Sequence, residues 1–223
     1  MKPTSPGRRH AIGSIGAGLA WAAAATSAPA WAQPAPVRPS YEYFEIPAQP
    51  VATGARIEVV EFFWYGCPFC NMLQGPLESW LKRKPEDVEL RRIPAIFRES
   101  WVAHARVFYV LESLGELPRL HQAVYRAVHA ERENLTTAET SADWVGRNGI
   151  ERARWLAAYN APEIDNRIEQ SKAATRAYGI RGTPSLVVDG RYVTSTGMSE
   201  SVSGVITILD GLIGIARERR AAK

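Results

Sequence analysis

Residues 57–64 read Ile-Glu-Val-Val-Glu-Phe-Phe-Trp, a run dense in β-branched and aromatic side chains, with apolar residues at both alternating sets of positions. A strand of this kind is buried on both faces, so the rest of the chain must supply packed layers above and below it. Gly66 ends the run. From Cys67 to Leu81 the apolar residues Met72, Leu73, Leu77, Trp80 and Leu81 recur at helical spacing, with Pro76 expected to kink the helix. The turn residues Lys84-Pro85-Glu86-Asp87 then lead into a second strand, Val88–Ile93.

Beyond Ile93 the pattern is helical for about 75 residues: Trp101–Leu114, Pro118–Ala130, Ala138–Arg147, Glu151–Tyr159 and Pro162–Tyr178. Strand signals return at Ser185–Val188 and Tyr192–Thr194, joined by the hairpin dipeptide Asp189-Gly190. A last helix is expected from Ser199, with Val202, Val205, Ile206, Leu209, Leu212, Ile213 and Ala216 on one face. Near the start, Tyr41–Ile46 reads as a short strand. The class is α/β, with a helical subdomain inserted between strand-bearing segments.

The first 32 residues have the build of a cleaved leader. Arg8-Arg9 precedes an apolar Ala/Gly-rich run, and Ala30-Trp31-Ala32 places small residues three and one before Gln33. The run is short and interrupted by Pro29, which argues against a membrane anchor, and it lacks a cysteine for a lipid anchor. The twin arginines leave both the general and the twin-arginine export routes open. Residues 33–40 are Pro-rich and expected to be mobile. The leader also carries Lys2, Arg8 and Arg9 and no acid; without it 24 basic residues face 23 acidic ones, so the formal charge of +4 is no argument for nucleic-acid binding.

An exported chain with two cysteines three positions apart poses a narrow question. Cys67-Pro68-Phe69-Cys70 sits where a buried strand turns into a helix, so the helix N-terminus and its free N–H groups favour a thiolate at Cys67. Cys70, one turn in, is expected to be more buried and to resolve the bond. A structural staple closes too short a loop to contribute more than about 2 kcal/mol. A zinc site would need His104, His121 or His129, all in the helical segment, as further ligands. Redox chemistry is the reading that uses both position and spacing.

The stretch Glu61-Phe62-Phe63-Trp64-Tyr65-Gly66-Cys67-Pro68-Phe69-Cys70, together with Gly179-Ile180-Arg181-Gly182-Thr183-Pro184-Ser185, resembles the DsbA branch of the thioredoxin superfamily. The resemblance implies a thioredoxin-like mixed sheet split as 41–98 and 171–223 around a helical insertion at 99–170. It implies a periplasmic protein disulfide oxidoreductase that oxidises reduced exported proteins through Cys67 and Cys70, with no cofactor beyond that pair. Reoxidation would come from an inner-membrane, quinone-linked partner of the DsbB type. A low thiol pKa and an oxidising disulfide are also implied, properties for which DsbA is itself the reference example.

By the same resemblance Pro184 forms a cis peptide bond facing the cysteines and exposes the Thr183 backbone to substrate, although an average X–Pro bond is trans. Glu61 is assigned proton exchange with Cys70; pairing with Arg91 or Arg92 is the structural alternative, and the two are compatible. Pro68 and Phe69 tune the pair. Phe69 stands where many DsbA proteins carry His, which removes a cationic ring beside Cys67 and offers an apolar surface instead. A periplasmic reductase or isomerase, and a chaperone-like binding module with incidental cysteines, are the competing functions.

Overall fold

The computed structural model describes residues 42–222. The leader at 1–32, the segment 33–40 and the start of the first expected strand at Tyr41 lie outside them. The elements run β1 (Phe44–Glu45), β2 (Ile57–Phe63), α1 (Pro68–Leu81), β3 (Val88–Pro94), α2 (Val102–Ser113), α3 (Leu117–His129), α4 (Ala138–Arg147), α5 (Arg152–Tyr159), α6 (Pro162–Ala177), β4 (Ser185–Val188), β5 (Tyr192–Ser195) and α7 (Val205–Ala221).

The strands form one mixed sheet in the order β1-β5-β4-β2-β3. β2 pairs in parallel with β3, a geometry that needs a crossover, and α1 supplies it. β4 pairs antiparallel with both β2 and β5. Every residue of β2 is buried, as its two-sided apolar pattern requires. Val59 packs with Leu73 and Leu77 of α1 and with Leu209 and Leu212 of α7, while Val60 and Phe62 pack with Tyr178 and Ile180 after α6.

α2 to α6 stand between β3 and β4 and have their own core, in which Trp155 is fully buried and donates its Nε1–H to Ser141 Oγ at 3.0 Å. That core is continuous with the end of β2, since Phe63, Tyr65, Cys67 and Cys70 belong to it. Pro76 sits inside α1 without ending it; its missing N–H and ring are tolerated within one continuous helix.

The last helix starts later than its apolar spacing indicates. Hydroxyls compete for the backbone ahead of it: Ser199 Oγ donates to the Ser201 carbonyl at 2.7 Å, and the Gly204 N–H donates to Ser201 Oγ at 3.0 Å. β1 is shorter than expected, pairing only Phe44 with Val193 and Glu45 with Tyr192.

The β4–β5 hairpin turns on Asp189 (φ 53°) and Gly190 (φ 63°), the left-handed pair at the centre of a three-residue loop closed by the Arg191 N–H on the Val188 carbonyl at 3.0 Å. A Cβ at Gly190 would also run into the Gln49 backbone carbonyl. Gly190→Ala should therefore lower stability by about 2 kcal/mol, seen as a lower urea midpoint at unchanged slope.

Candidate active site

Cys67 is the N-cap of α1 (φ −85°, ψ 119°), and Pro68 occupies the first helical turn, where its absent N–H costs nothing. No acidic side chain enters that first turn. Both cysteines are free thiols; Cys67 is 7% exposed and Cys70 fully buried. The Cys67 thiol is lowered to about 5, first by the hydrogen bond from Cys70, against burial, and further by the Thr183 side chain and the backbone N–H groups of Cys70 and Phe69. The Cys70 thiol moves the other way, pushed well up by burial and by its neighbour. One helix turn thus separates a readily ionised sulfur from one that holds its proton.

The Gly179–Ser185 segment closes over this pair. Gly179 (φ 59°) ends α6, and the Thr183–Pro184 peptide bond is cis. The Cys67 thiol donates to the Thr183 carbonyl at 3.2 Å. That contact alone would keep the proton on sulfur; the surrounding donors outweigh it.

Glu61 lies fully buried on the β2 face that carries Val59 and Phe63. Gln74, four residues after Cys70 on α1, donates from Nε2 both to Glu61 Oε1 at 3.0 Å and to the Cys70 carbonyl at 3.3 Å. Arg92 Nε donates to Glu61 Oε2 at 2.9 Å, and Arg92 Nη2 reaches Glu78 at 3.1 Å. Desolvation raises the Glu61 carboxyl in spite of Arg92 and Gln74, so it takes a proton more readily than an exposed carboxylate.

The segment before Cys67 is tied to the helical subdomain. The Tyr65 hydroxyl bonds His121 Nδ1 at 2.8 Å, and His129 Nε2 donates to the Tyr65 carbonyl at 2.7 Å. Trp64 stacks on Trp101 with centroids 4.1 Å apart. Burial holds His104 at about 4 and His121 well below its usual range, so both are neutral at pH 7. Among the described residues no group of three His, Cys, Asp or Glu side chains is placed to hold a metal.

Phe69 is 54% exposed and lines a groove of about 690 Å³ with Phe44, Thr183, Pro184, Val193 and Met198. Cys67, Cys70, Thr183 and Glu61 therefore converge, with Phe69 and Pro184 lining the groove and Pro68 exposed at the start of α1. Gln74, Arg92, Tyr65, His121 and His129 were not singled out from sequence, apart from Arg92 as a possible partner of Glu61 and the two histidines as zinc ligands. A polar Gln74 within the buried stripe of Cys70, Leu73 and Leu77 is the signal that could have marked one of them.

A CxxC pair at a helix start, in direct contact with a cis-proline segment, defines a dithiol site on a thioredoxin-like fold with an inserted helical subdomain. Residues 86–203 match the family model of the DSBA-like thioredoxin domain. The chain is 35% identical over 207 residues to the thiol:disulfide interchange protein DsbA of Azotobacter vinelandii, covering 92% of this chain and 96% of that one. It is 37% identical over 183 residues to the protein of that name from Pseudomonas aeruginosa, covering 82% and 86%. The crystal structure of Pseudomonas aeruginosa DsbA superposes with a TM-score of 0.76 at 36% identity, over 81% of this chain and 94% of that one. The Xylella fastidiosa oxidoreductase DsbA gives 0.74 at 30% identity, over 79% and 96%. The chain belongs to the DsbA family.

Proposed function

We propose that the protein oxidises dithiols in exported polypeptides by thiol-disulfide exchange, with Cys67 as the attacked and later departing sulfur. The carrying observation is the asymmetry of the pair, a Cys67 thiol at about 5 beside a Cys70 thiol raised by burial. A substrate thiolate attacks Cys67 Sγ of the Cys67–Cys70 disulfide; that S–S bond breaks, a substrate–Cys67 bond forms, and Cys70 takes up the electron pair. Because the Cys70 thiol is raised, it leaves best with a proton, which Glu61 supplies by way of its place beside Gln74. A second substrate thiolate then attacks the substrate sulfur of the mixed disulfide. The substrate disulfide forms and Cys67 departs as a thiolate, the better leaving group of the two.

The Thr183 backbone beside Cys67 serves as the pairing edge for an extended substrate, with Pro184 and Phe69 shaping the groove below it. Segments 41–98 and 171–223 carry the exchange site, and 99–170 forms the insertion that backs it. The residue pattern of 1–32 supports periplasmic export, and the reduced pair would be reoxidised by a quinone-linked membrane partner of the DsbB type.

Thiolate absorbance tests the asymmetry. Acid titration of the reduced protein should give a single step with a midpoint near 5, absent in Cys67→Ser. A midpoint in the ordinary thiol range, above about 8, would contradict the assignment.

A further inference from the structure

Arg181 lines both the groove and a second cleft of about 380 Å³, which includes Ile96, Phe97, Thr175, Arg176 and Ile180. Ile96 and Ile180 are buried and Phe97 is 40% exposed, so an apolar surface opens to solvent there. It is rigidly built. Thr175 Oγ1 accepts the Ile96 N–H at 3.3 Å and donates to the Ser171 carbonyl at 2.7 Å, while the Ile180 N–H donates to the Thr175 carbonyl at 3.1 Å.

The charges around this cleft are unbalanced. Arg91, Arg92 and Arg167, which line a separate pocket, are each ion-paired with a glutamate. Arg176 and Arg181 are exposed and make no ion pair among the described residues, and neither does Arg98, next to Phe97. Arg98 lies over the Trp101 ring at 5.9 Å and Arg181 over Phe44 at 5.8 Å, contacts that leave their charge uncancelled. A concentration of unpaired positive charge around apolar side chains favours a ligand that brings both carboxylates and an apolar group.

Continuity fixes the occupant. Arg181 is two residues before Thr183, whose carbonyl meets Cys67. A strand paired along this segment advances about 3.3 Å per residue, so positions two to four from a substrate cysteine at Cys67 come level with Arg181 and the cleft. We propose that this cleft is a specificity subsite for the substrate polypeptide, selecting an apolar residue flanked by Asp or Glu near the reacting cysteine. The proposal rests on the exchange reading above.

The test is the rate of mixed-disulfide formation between the oxidised protein and two single-cysteine peptides of equal apolar content, one with a Glu-Leu-Glu flank and one with Lys-Leu-Lys. Each rate is normalised to that peptide's rate with a small neutral disulfide. The acidic peptide should react about fivefold faster at low ionic strength, with the ratio shrinking in 0.5 M salt. Arg176→Glu/Arg181→Glu should invert the preference. Phe97→Ser should slow the acidic peptide relative to one with Gly in place of Leu. Equal normalised rates in the parent protein, or an unchanged preference in the reversed variant, would overturn the subsite alone. No reaction with either peptide would overturn the exchange reading and the subsite with it. A self-association removed by the charge reversal would assign the cleft to a second copy of the chain and likewise overturn the proposal.

Discussion

Cys70→Ala halts turnover and leaves Cys67 covalently loaded: incubated with a substrate disulfide, the variant accumulates a mixed disulfide visible by mass spectrometry under non-reducing conditions. Cys67→Ser forms no such adduct. Both lose dithiol oxidation by at least about 10³-fold, because each removes one of two sulfurs that act as a unit. The difference between the two variants follows from their surroundings. Cys67 is the ionised sulfur with an open groove beside it, and Cys70 is sealed behind it with its thiol raised. Equal adduct formation by both variants, or adducts only on Cys70, would reverse the roles assigned to the pair.

The second large effect concerns the ion pair behind the cysteines. Glu61 is fully buried and Arg92 partly so, and among the described residues Arg92 is the one cation bonded to that carboxylate. Arg92→Met strands the carboxylate in the core and should cost about 3 kcal/mol, measured by urea unfolding of the reduced protein at pH 7. Without Arg92 the folded-state pKa of Glu61 lies further above its unfolded value. A raised carboxyl costs stability above the unfolded pKa, and the cost disappears as pH falls below it. The destabilisation should therefore shrink between pH 7 and about pH 4. Glu61→Leu/Arg92→Met, which removes both charges, should be less harmful than Arg92→Met alone. A penalty for Arg92→Met that is flat with pH would show that the arginine acts by packing and not by charge.

Most of the framework was legible because its signals are local. The two-sided apolar pattern at 57–64 marked β2, the cysteine spacing after Gly66 marked the head of α1, and Asp189-Gly190 marked the hairpin. What escaped depends on register. The choice between Arg91 and Arg92 as partner of Glu61 is settled by the parallel pairing that sets Glu61 opposite Arg92; Arg91 falls on the other face and binds Glu58. Glu58 is as buried as Glu61, yet nothing in a single strand distinguishes which acid faces the cysteines. Gln74, His121 and His129 join the site from helices whose docking onto β2 is a tertiary property. The late start of α7 reflects serine hydroxyls capturing the backbone, which an apolar-spacing argument does not weigh.

With Phe69 between the cysteines, no histidine at that position can hold the Cys67 thiolate by its charge. The structure reaches a thiol at about 5 with hydrogen bonds alone. Relative to an unfolded thiol near 9, that depression stabilises the reduced protein at pH 7 by about 3 kcal/mol. The contribution is fully present only above the unfolded pKa and is lost as pH falls through about 5. Stabilising the reduced form makes the disulfide more oxidising, by about 60 mV for this term.

The equilibrium of the Cys67–Cys70 disulfide with glutathione at pH 7 measures that consequence directly. The predicted result is a reduction potential above about −180 mV, so that the pair gives up its disulfide to substrate dithiols. A potential near −270 mV, in the range of a cytosolic reductant, would contradict the proposed direction of exchange.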